Sequence, residues 1–140
     1  MGSSLNKTNQ NKLIIFQKKI IRIITKSTYN AHTNPLFKDL KLLKFLDIID
    51  LETSKFIYLA SKGRLPSSLN NMFTLNCEVH EYETRNKNNP RTILHKSTIF
   101  NNSFLGRGPA LWAKLSNESK NKKTIKSFSK NLKCVIIDSY

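Results

Sequence analysis

Apolar residues recur early in the chain at steps of three and four: Leu13, Phe16, Ile20 and Ile24. That period predicts a helix over residues 12–25, with Lys18, Lys19, Arg22 and Lys26 largely on its other faces. Ile14, Ile15, Ile21 and Ile23 widen the apolar side, so this helix is expected to be contacted from two directions. A loop over 29–35 follows, with Asn34 suited to an N-cap and Pro35 to the first helical position. Leu36, Phe37 and Leu40 then supply a short apolar face. A longer helix is predicted over 46–61, its apolar lines running through Ile48, Leu51 and Leu59 and through Ile49, Phe56 and Ala60. Asp47, Asp50 and Glu52 in its first turns and Lys62 at its end match the helix dipole, and Gly63 is a natural stop.

The pattern then changes. Residues 65–73 read as a short helical turn. From 74 to 102 the helical period disappears, and two short strands are expected, around 79–84 and 97–100. Gly106 and the pair Gly108-Pro109 are turn signals, and 110–115 reads as a short amphipathic helix. Thr124 is placed to cap a basic helix over 125–137, with Phe128, Leu132, Val135 and Ile136 as its apolar side. There is no internal repeat. The expected fold is mainly α: a disordered start over 1–11, a helical segment over 12–63, and a mixed, loop-rich segment with short strands and a terminal basic helix over 64–140.

Charge changes the picture most. The 140 residues carry a formal net charge of +15 from 24 Lys+Arg against 9 Asp+Glu. Lysine outnumbers arginine 19 to 5, and 16 Asn and 14 Ile accompany it, a pattern that an AT-rich coding sequence produces by itself. The distribution is more telling than the sum. Residues 1–30 hold six bases and no acid, residues 31–63 are near neutral at +1, residues 64–83 stand at −2, and residues 84–140 at +10. No apolar run approaches the roughly 18 residues of a membrane span, and the polar start has no signal-peptide core. The expectation is a soluble protein of the nucleus or cytoplasm, without a membrane partner, whose natural ligand is a polyanion.

Candidate chemistry narrows accordingly. Cys77 and His80 have ligand-like spacing, but His95 and Cys134 lie 39 residues apart and form no second paired motif, so no metal site is expected. Asp47 and Asp50 are accounted for as acids at a helix N-terminus. No nucleophile elbow, P-loop or dinucleotide fingerprint occurs, so neither catalysis nor a cofactor is expected. What survives is nucleic-acid binding. Lys18, Lys19, Arg22 and Lys26 on one helix, and Lys120, Lys122, Lys123, Lys126, Lys130 and Lys133 near the other end, are placed to follow a phosphate backbone. Between them, Tyr82, Arg85, Lys87, Arg91 and Lys96 set an aromatic among bases, as single-strand binding surfaces do. The competing reading of all these lysines is that they solvate helix faces. Trp112 and the eight Phe read as core rather than stacking platforms.

A set of strings in this sequence resembles one family. The run 16–25 (FQKKIIRIIT) and the run 31–40 (AHTNPLFKDL) are similar to the segment just past the catalytic palm in reverse transcriptases of non-LTR retrotransposons, of the jockey-like and chicken-repeat-like kind. Leu65-Pro66-Ser67-Ser68 resembles the next landmark, and His80-Glu81-Tyr82-Glu83-Thr84-Arg85 the family's His-x-Tyr-x-Thr-Arg string. Gly108-Pro109-Ala110-Leu111-Trp112 is similar to its Gly-Pro-x-Leu-Trp turn, and the run 127–133 (SFSKNLK) to its closing helix. The strings follow the family's order from about residue 13 to 140. One departs: the family's Trp-Asn-x-Leu-Pro is here Trp112-Ala113-Lys114-Leu115-Ser116. The resemblance implies a thumb-like helical segment and a C-terminal segment, without the palm's aromatic-Ala-Asp-Asp centre and so without polymerase activity of their own. It implies a partner palm domain in a full-length enzyme, and a template–primer duplex or element RNA as ligand. Lys18, Lys19 and Arg22 would contact thumb-side phosphates, and Arg85 and Lys87 RNA. The alternative is a degenerate retrotransposon remnant without activity, or a protein-interaction module.

Overall fold

Ile57 and Tyr58 lose all exposure in the middle of the chain's central helix, and the rest of the molecule is arranged around them. A computed structural model describes residues 7–82, 84 and 86–140, the side chain of residue 70 excepted. It is mainly helical: α1 (Lys7–Ile24), α2 (Thr33–Asp39), α3 (Phe45–Ser61), α4 (Thr98–Asn102), α5 (Phe104–Lys114), α6 (Asn117–Lys120) and α7 (Ile125–Asp138). No helix among the described residues is long and apolar enough to cross a membrane.

α3 is the hub. It packs on α5 along one side and on α7 along the other, with α1 against α2 and α3 at its N-terminal end. Being contacted on two sides requires small residues between the large ones. Thr53 and Ser54 supply them, and each turns its hydroxyl back onto its own helix, donating to Ile49 O at 2.8 Å and to Asp50 O at 2.7 Å. Leu51, Ile57 and Tyr58 of α3 join Leu43, Trp112 of α5, and Phe128, Leu132 and Ile137 of α7 in one buried cluster. The Tyr58 ring stacks on Phe128 at 4.6 Å, and Trp112 lies 6.2 Å from Phe128. The buried end of Tyr58 is satisfied, its hydroxyl donating to Lys122 O at 2.6 Å.

Element by element, the periodic segments form where expected. α3 spans Phe45–Ser61, and Gly63 just beyond it takes the left-handed conformation, φ 61°, that glycine adopts without strain. α7 spans Ile125–Asp138, with Thr124 Oγ1 accepting from Ser127 N at 3.2 Å as its cap. Residues 67–72 form a short 3-10 turn. α1 begins at Lys7, so residues 7–11 belong to the helix rather than to a disordered start. α2 begins two residues earlier than the expected start at Pro35: His32, extended, takes the N-cap position without a side-chain bond, and Pro35 falls at the third helical position.

The C-terminal segment differs more. Neither expected strand exists among the described residues: Thr98–Asn102 is helix α4, and the stretch from 79 to 82 with residue 84 is irregular. Ser97 explains the change, because its hydroxyl accepts from Phe100 N and so starts a helix where the β-branched residues suggested a strand. The β-pairing there among the described residues is a single antiparallel bridge between Leu75 and Pro90. Gly106 and Gly108-Pro109, read as turns, lie inside α5, and α6 is a further short helix capped by Ser116. Packing decides α5: Gly108 and Pro109 are buried against α3, where a bulkier backbone would not fit.

The acids of α3 do more than offset its dipole. Asp50 pairs with Arg107 of α5, and Asp47 accepts from the hydroxyl of Tyr140. Burial raises the Asp50 carboxyl above its ordinary range despite the arginine beside it, so the pair sets the register of α5 on α3 more than it adds stability. Tyr140 also accepts from Lys44 N at 3.0 Å, and its ring meets Phe37 edge-on at 6.2 Å. Burial first, then the bond to Asp47, holds its hydroxyl well above the usual tyrosine range. A folded-state pKa above the unfolded one stabilises fully below the unfolded value of about 10, and the contribution is lost as pH rises past it. Tyr140→Phe is therefore expected to lower stability by about 1 kcal/mol near neutral pH. The deficit should shrink as pH rises from about 10 to about 12, as urea unfolding of the two proteins at each pH would show. A deficit that grows with pH would refute this account of Tyr140.

Candidate nucleic-acid interface

α1 carries three faces. Ile14, Gln17 and Ile21 turn toward α2 and α3, and Ile21 is buried. Gln17 fixes the docking with both ends of its amide: Nε2 donates to Leu43 O at 2.9 Å, and Oε1 accepts from Phe45 N at 2.8 Å. The second contact satisfies a backbone N–H at the start of α3 that has no partner within the helix. Leu13, Phe16, Ile20, Ile23 and Ile24 form a second, apolar face that remains exposed, Ile23 to 75 %. The expected contact from two directions is thus made from one. The third face holds Lys12, Lys18, Lys19, Arg22 and Lys26 at helical steps.

The C-terminal turn of α1 converts part of this third face into a concavity. Thr25 Oγ1 bonds Ile21 O at 2.9 Å and Ser27 Oγ at 2.8 Å, and Lys26 takes a left-handed φ of 50°. The chain folds back, and Arg22 Nε donates to Ala31 O at 3.0 Å, pinning the loop to the helix. Lys19, Arg22 and Lys26 line the resulting concavity of about 520 Å³ with Ile23, Ser27 and Tyr29, and no acid is among its described lining residues. Tyr29, 79 % exposed, is a ring beside three cations. The sequence carried a signal for it, an aromatic three positions after Lys26.

Lys18 is not part of this group. It borders a separate concavity with Lys44, Asp47 and Tyr140, where a carboxylate faces it. In the middle of the chain, Tyr82 is 81 % exposed, Arg91 is exposed and Lys87 is half-buried. Arg85 lies outside the described residues. The backbone of 87–91 is fastened to 74–77 by Asn76 N to Asn89 O at 3.1 Å, Cys77 N to Lys87 O at 2.9 Å and Arg91 N to Thr74 O at 2.8 Å. Lys126 and Lys130 are exposed one turn apart on α7, on the side away from Phe128 and Leu132. Lys126 stands in the first turn of that helix, where the dipole disfavours a cation. Helix stability therefore does not account for its charge. α7 packs on α3, α6 and α2, and α1 on α2 and α3.

No group of three or more His, Cys, Asp and Glu that could hold a metal ion occurs among the described residues. Comparison of the chain with protein-family models, curated proteins and solved structures finds no match.

Proposed function

We propose that this chain is a non-catalytic nucleic-acid-binding segment, of the kind that follows the palm in a non-LTR retrotransposon reverse transcriptase, and that it holds RNA or an RNA–DNA duplex by its phosphates. The observation that carries the reading is the acid-free concavity at the end of α1, where Lys19, Arg22 and Lys26 surround the exposed ring of Tyr29. Cations supply most of the affinity for a phosphate backbone, and a neighbouring aromatic accepts an unstacked base. Lys126 and Lys130 form a second contact on α7, and Tyr82, Lys87 and Arg91 a third in the irregular middle. A palm domain would cover the apolar face of α1, which runs beside the basic one. The same face, Phe16 with Ile20, Ile23 and Ile24, favours one other reading, a protein-interaction module in a degenerate element.

Anisotropy of a labelled single-stranded RNA of about 20 nucleotides, titrated across salt concentrations, tests the proposal. Each phosphate contact contributes about −0.7 to the slope of log K on log salt for a single strand. Lys19→Ala with Lys26→Ala is expected to reduce that slope by about 1.4 and to weaken binding at low salt about tenfold or more. Arg22 is kept, because it holds the loop. Binding that ignores salt, or a slope unmoved by the double substitution, would overturn the proposal in favour of the interaction module.

A further inference from the structure

At the other end of α3 the irregular segment and two helix ends enclose a second concavity, of about 490 Å³, with a different chemistry. Five asparagines line it: Asn86, Asn88 and Asn89 from the segment fastened to 74–77, and Asn117 and Asn121 from the two ends of α6. Lys62 and Lys120 line it too, and no Asp or Glu is among its described lining residues. Trp112 forms part of its wall.

The two lysines are poorly matched by the protein. Lys120 Nζ reaches Asn89 Oδ1 at 3.4 Å and stands 5.7 Å from the Trp112 ring, and Lys62 Nζ stands 5.8 Å from the Tyr58 ring. Amide oxygens and ring faces are weak partners for an ammonium, and burial lowers the Lys120 pKa from its ordinary value. The nearest acid in sequence, Glu118, is engaged by Lys122 at 2.8 Å. Asn86 and Asn89 are partly committed, since Asn89 Nδ2 donates to Asn86 Oδ1 at 2.9 Å. Asn88, Asn117 and Asn121 are exposed, and no hydrogen bond to a described residue uses their amides. A ligand suited to this place brings an anion for the lysines and a planar edge of donors and acceptors for the amides. A neutral sugar would leave the ammonium groups unpaired, and an isolated phosphate would leave the amides unused. The volume is that of small-molecule sites.

We infer that the asparagine-lined concavity between α3, α6 and residues 86–89 binds one nucleotide unit of an RNA strand, its phosphate on Lys62 and Lys120 and its base edge on the Asn88, Asn117 and Asn121 amides. Asparagine pairs bidentately with the edge of adenine, and single-stranded bases are read on such edges. The inference rests on the nucleic-acid reading above and adds to it a base-selective subsite apart from the basic face of α1. The two sites share no lining residue.

Trp112 is the chain's one tryptophan, so its emission reports this wall directly. Adenosine 5′-monophosphate, inorganic phosphate and adenosine are titrated into the full chain, following Trp112 emission and the NMR signals of the side-chain amides. The nucleotide is expected to produce a saturable change, binding at least about tenfold tighter than either adenosine or inorganic phosphate. Lys120→Gln should weaken it about tenfold or more, the loss of one charge-assisted hydrogen bond. Asn88→Ala with Asn121→Ala should weaken the nucleotide and leave inorganic phosphate unchanged. No response in either signal up to about 10 mM nucleotide would overturn the inference. So would phosphate binding as tightly as the nucleotide, or an asparagine double variant that binds normally. Lys19→Ala with Lys26→Ala should leave the nucleotide response intact. Failure of the subsite therefore shows in the nucleotide titration alone, and failure of the nucleic-acid reading in the RNA salt slope.

Discussion

Phe128→Ala is expected to lower the free energy of unfolding by about 3–5 kcal/mol. Phe128 has no exposure, and its ring is the point at which three helices meet. It stacks on Tyr58 of α3 at 4.6 Å with the planes 20° apart, and it lies 6.2 Å from Trp112 of α5. Neither neighbour can close the space. Tyr58 is tethered through its hydroxyl to Lys122 O, and Trp112 sits on a helix whose approach to α3 is already at contact. The cavity would remain open, and its cost adds to the lost transfer energy. Against a total of about 5–15 kcal/mol for a domain, that is roughly a fifth or more of the stability. Urea unfolding should show a lower midpoint with an unchanged slope, and a melting temperature lower by about 10 °C or more. Leu94→Ala, at a side chain 93 % exposed, should stay within about 0.5 kcal/mol and serves as the control. A Phe128→Ala loss below about 1 kcal/mol would mean that α7 is not docked through this ring.

The second large effect is expected at Gly106, where the sequence suggested only a turn. α4 ends at Asn102 and α5 begins at Phe104, so a single residue, Ser103, joins two helices. Ser103 Oγ donates to Phe100 O at 2.6 Å and accepts from Gly106 N at 3.3 Å, which draws Gly106 onto the preceding helix. A Cβ on Gly106 would fall inside contact distance of the Phe100 carbonyl oxygen and 2.8 Å from Asn101 Cα. Both obstacles are backbone, which cannot rotate aside. Gly106→Ala is therefore expected to cost about 2–3 kcal/mol, at the upper end for overpacking. It should also loosen the amides of 97–106 in hydrogen exchange. Gly108→Ala gives the contrast: its Cβ would meet Ile57 Cδ1 at 2.5 Å, the tip of a side chain that has other rotamers. It should cost less, and Ile57→Val should recover part of the loss. Equal costs at the two glycines would contradict the distinction between backbone and side-chain obstruction.

How much of this was legible depends on the range of the interaction concerned. α3 and α7 were readable because their apolar residues repeat over many turns and their ends carry local signals, Gly63 in one case and Thr124 in the other. α4 was not, because its five residues hold too few turns for a period to show, and Ser97 acts through a hydroxyl bond that competes with β-propensity. The basic candidates were identified by type and spacing, but spacing could not say which would meet. Lys18 and Lys19 are neighbours in sequence and face different concavities, since consecutive helical residues point about 100° apart. Tyr29 was passed over because its place beside Lys19 and Lys26 depends on the left-handed turn at Lys26 and the bond from Arg22 to Ala31.

The sequence by itself determined the mainly helical class, the apolar faces that make the core, and the concentration of positive charge toward both ends. Those are properties of composition and period, and they follow from 3.6 residues per turn and from the cost of burying charge. Only the tertiary structure decided which lysines share a concavity and that one of the two apolar sides of α1 stays uncovered. It also decided that Asn86, Asn88 and Asn89 stand opposite Asn117 and Asn121 across a polar hollow. The asparagine hollow rests on residues about thirty positions apart, which no local period encodes and which the packing of α5 and α7 on α3 brings together. The lysine concavity is closed within about ten residues, by the left-handed turn at Lys26 and the bond from Arg22 to Ala31, which helical period does not encode either.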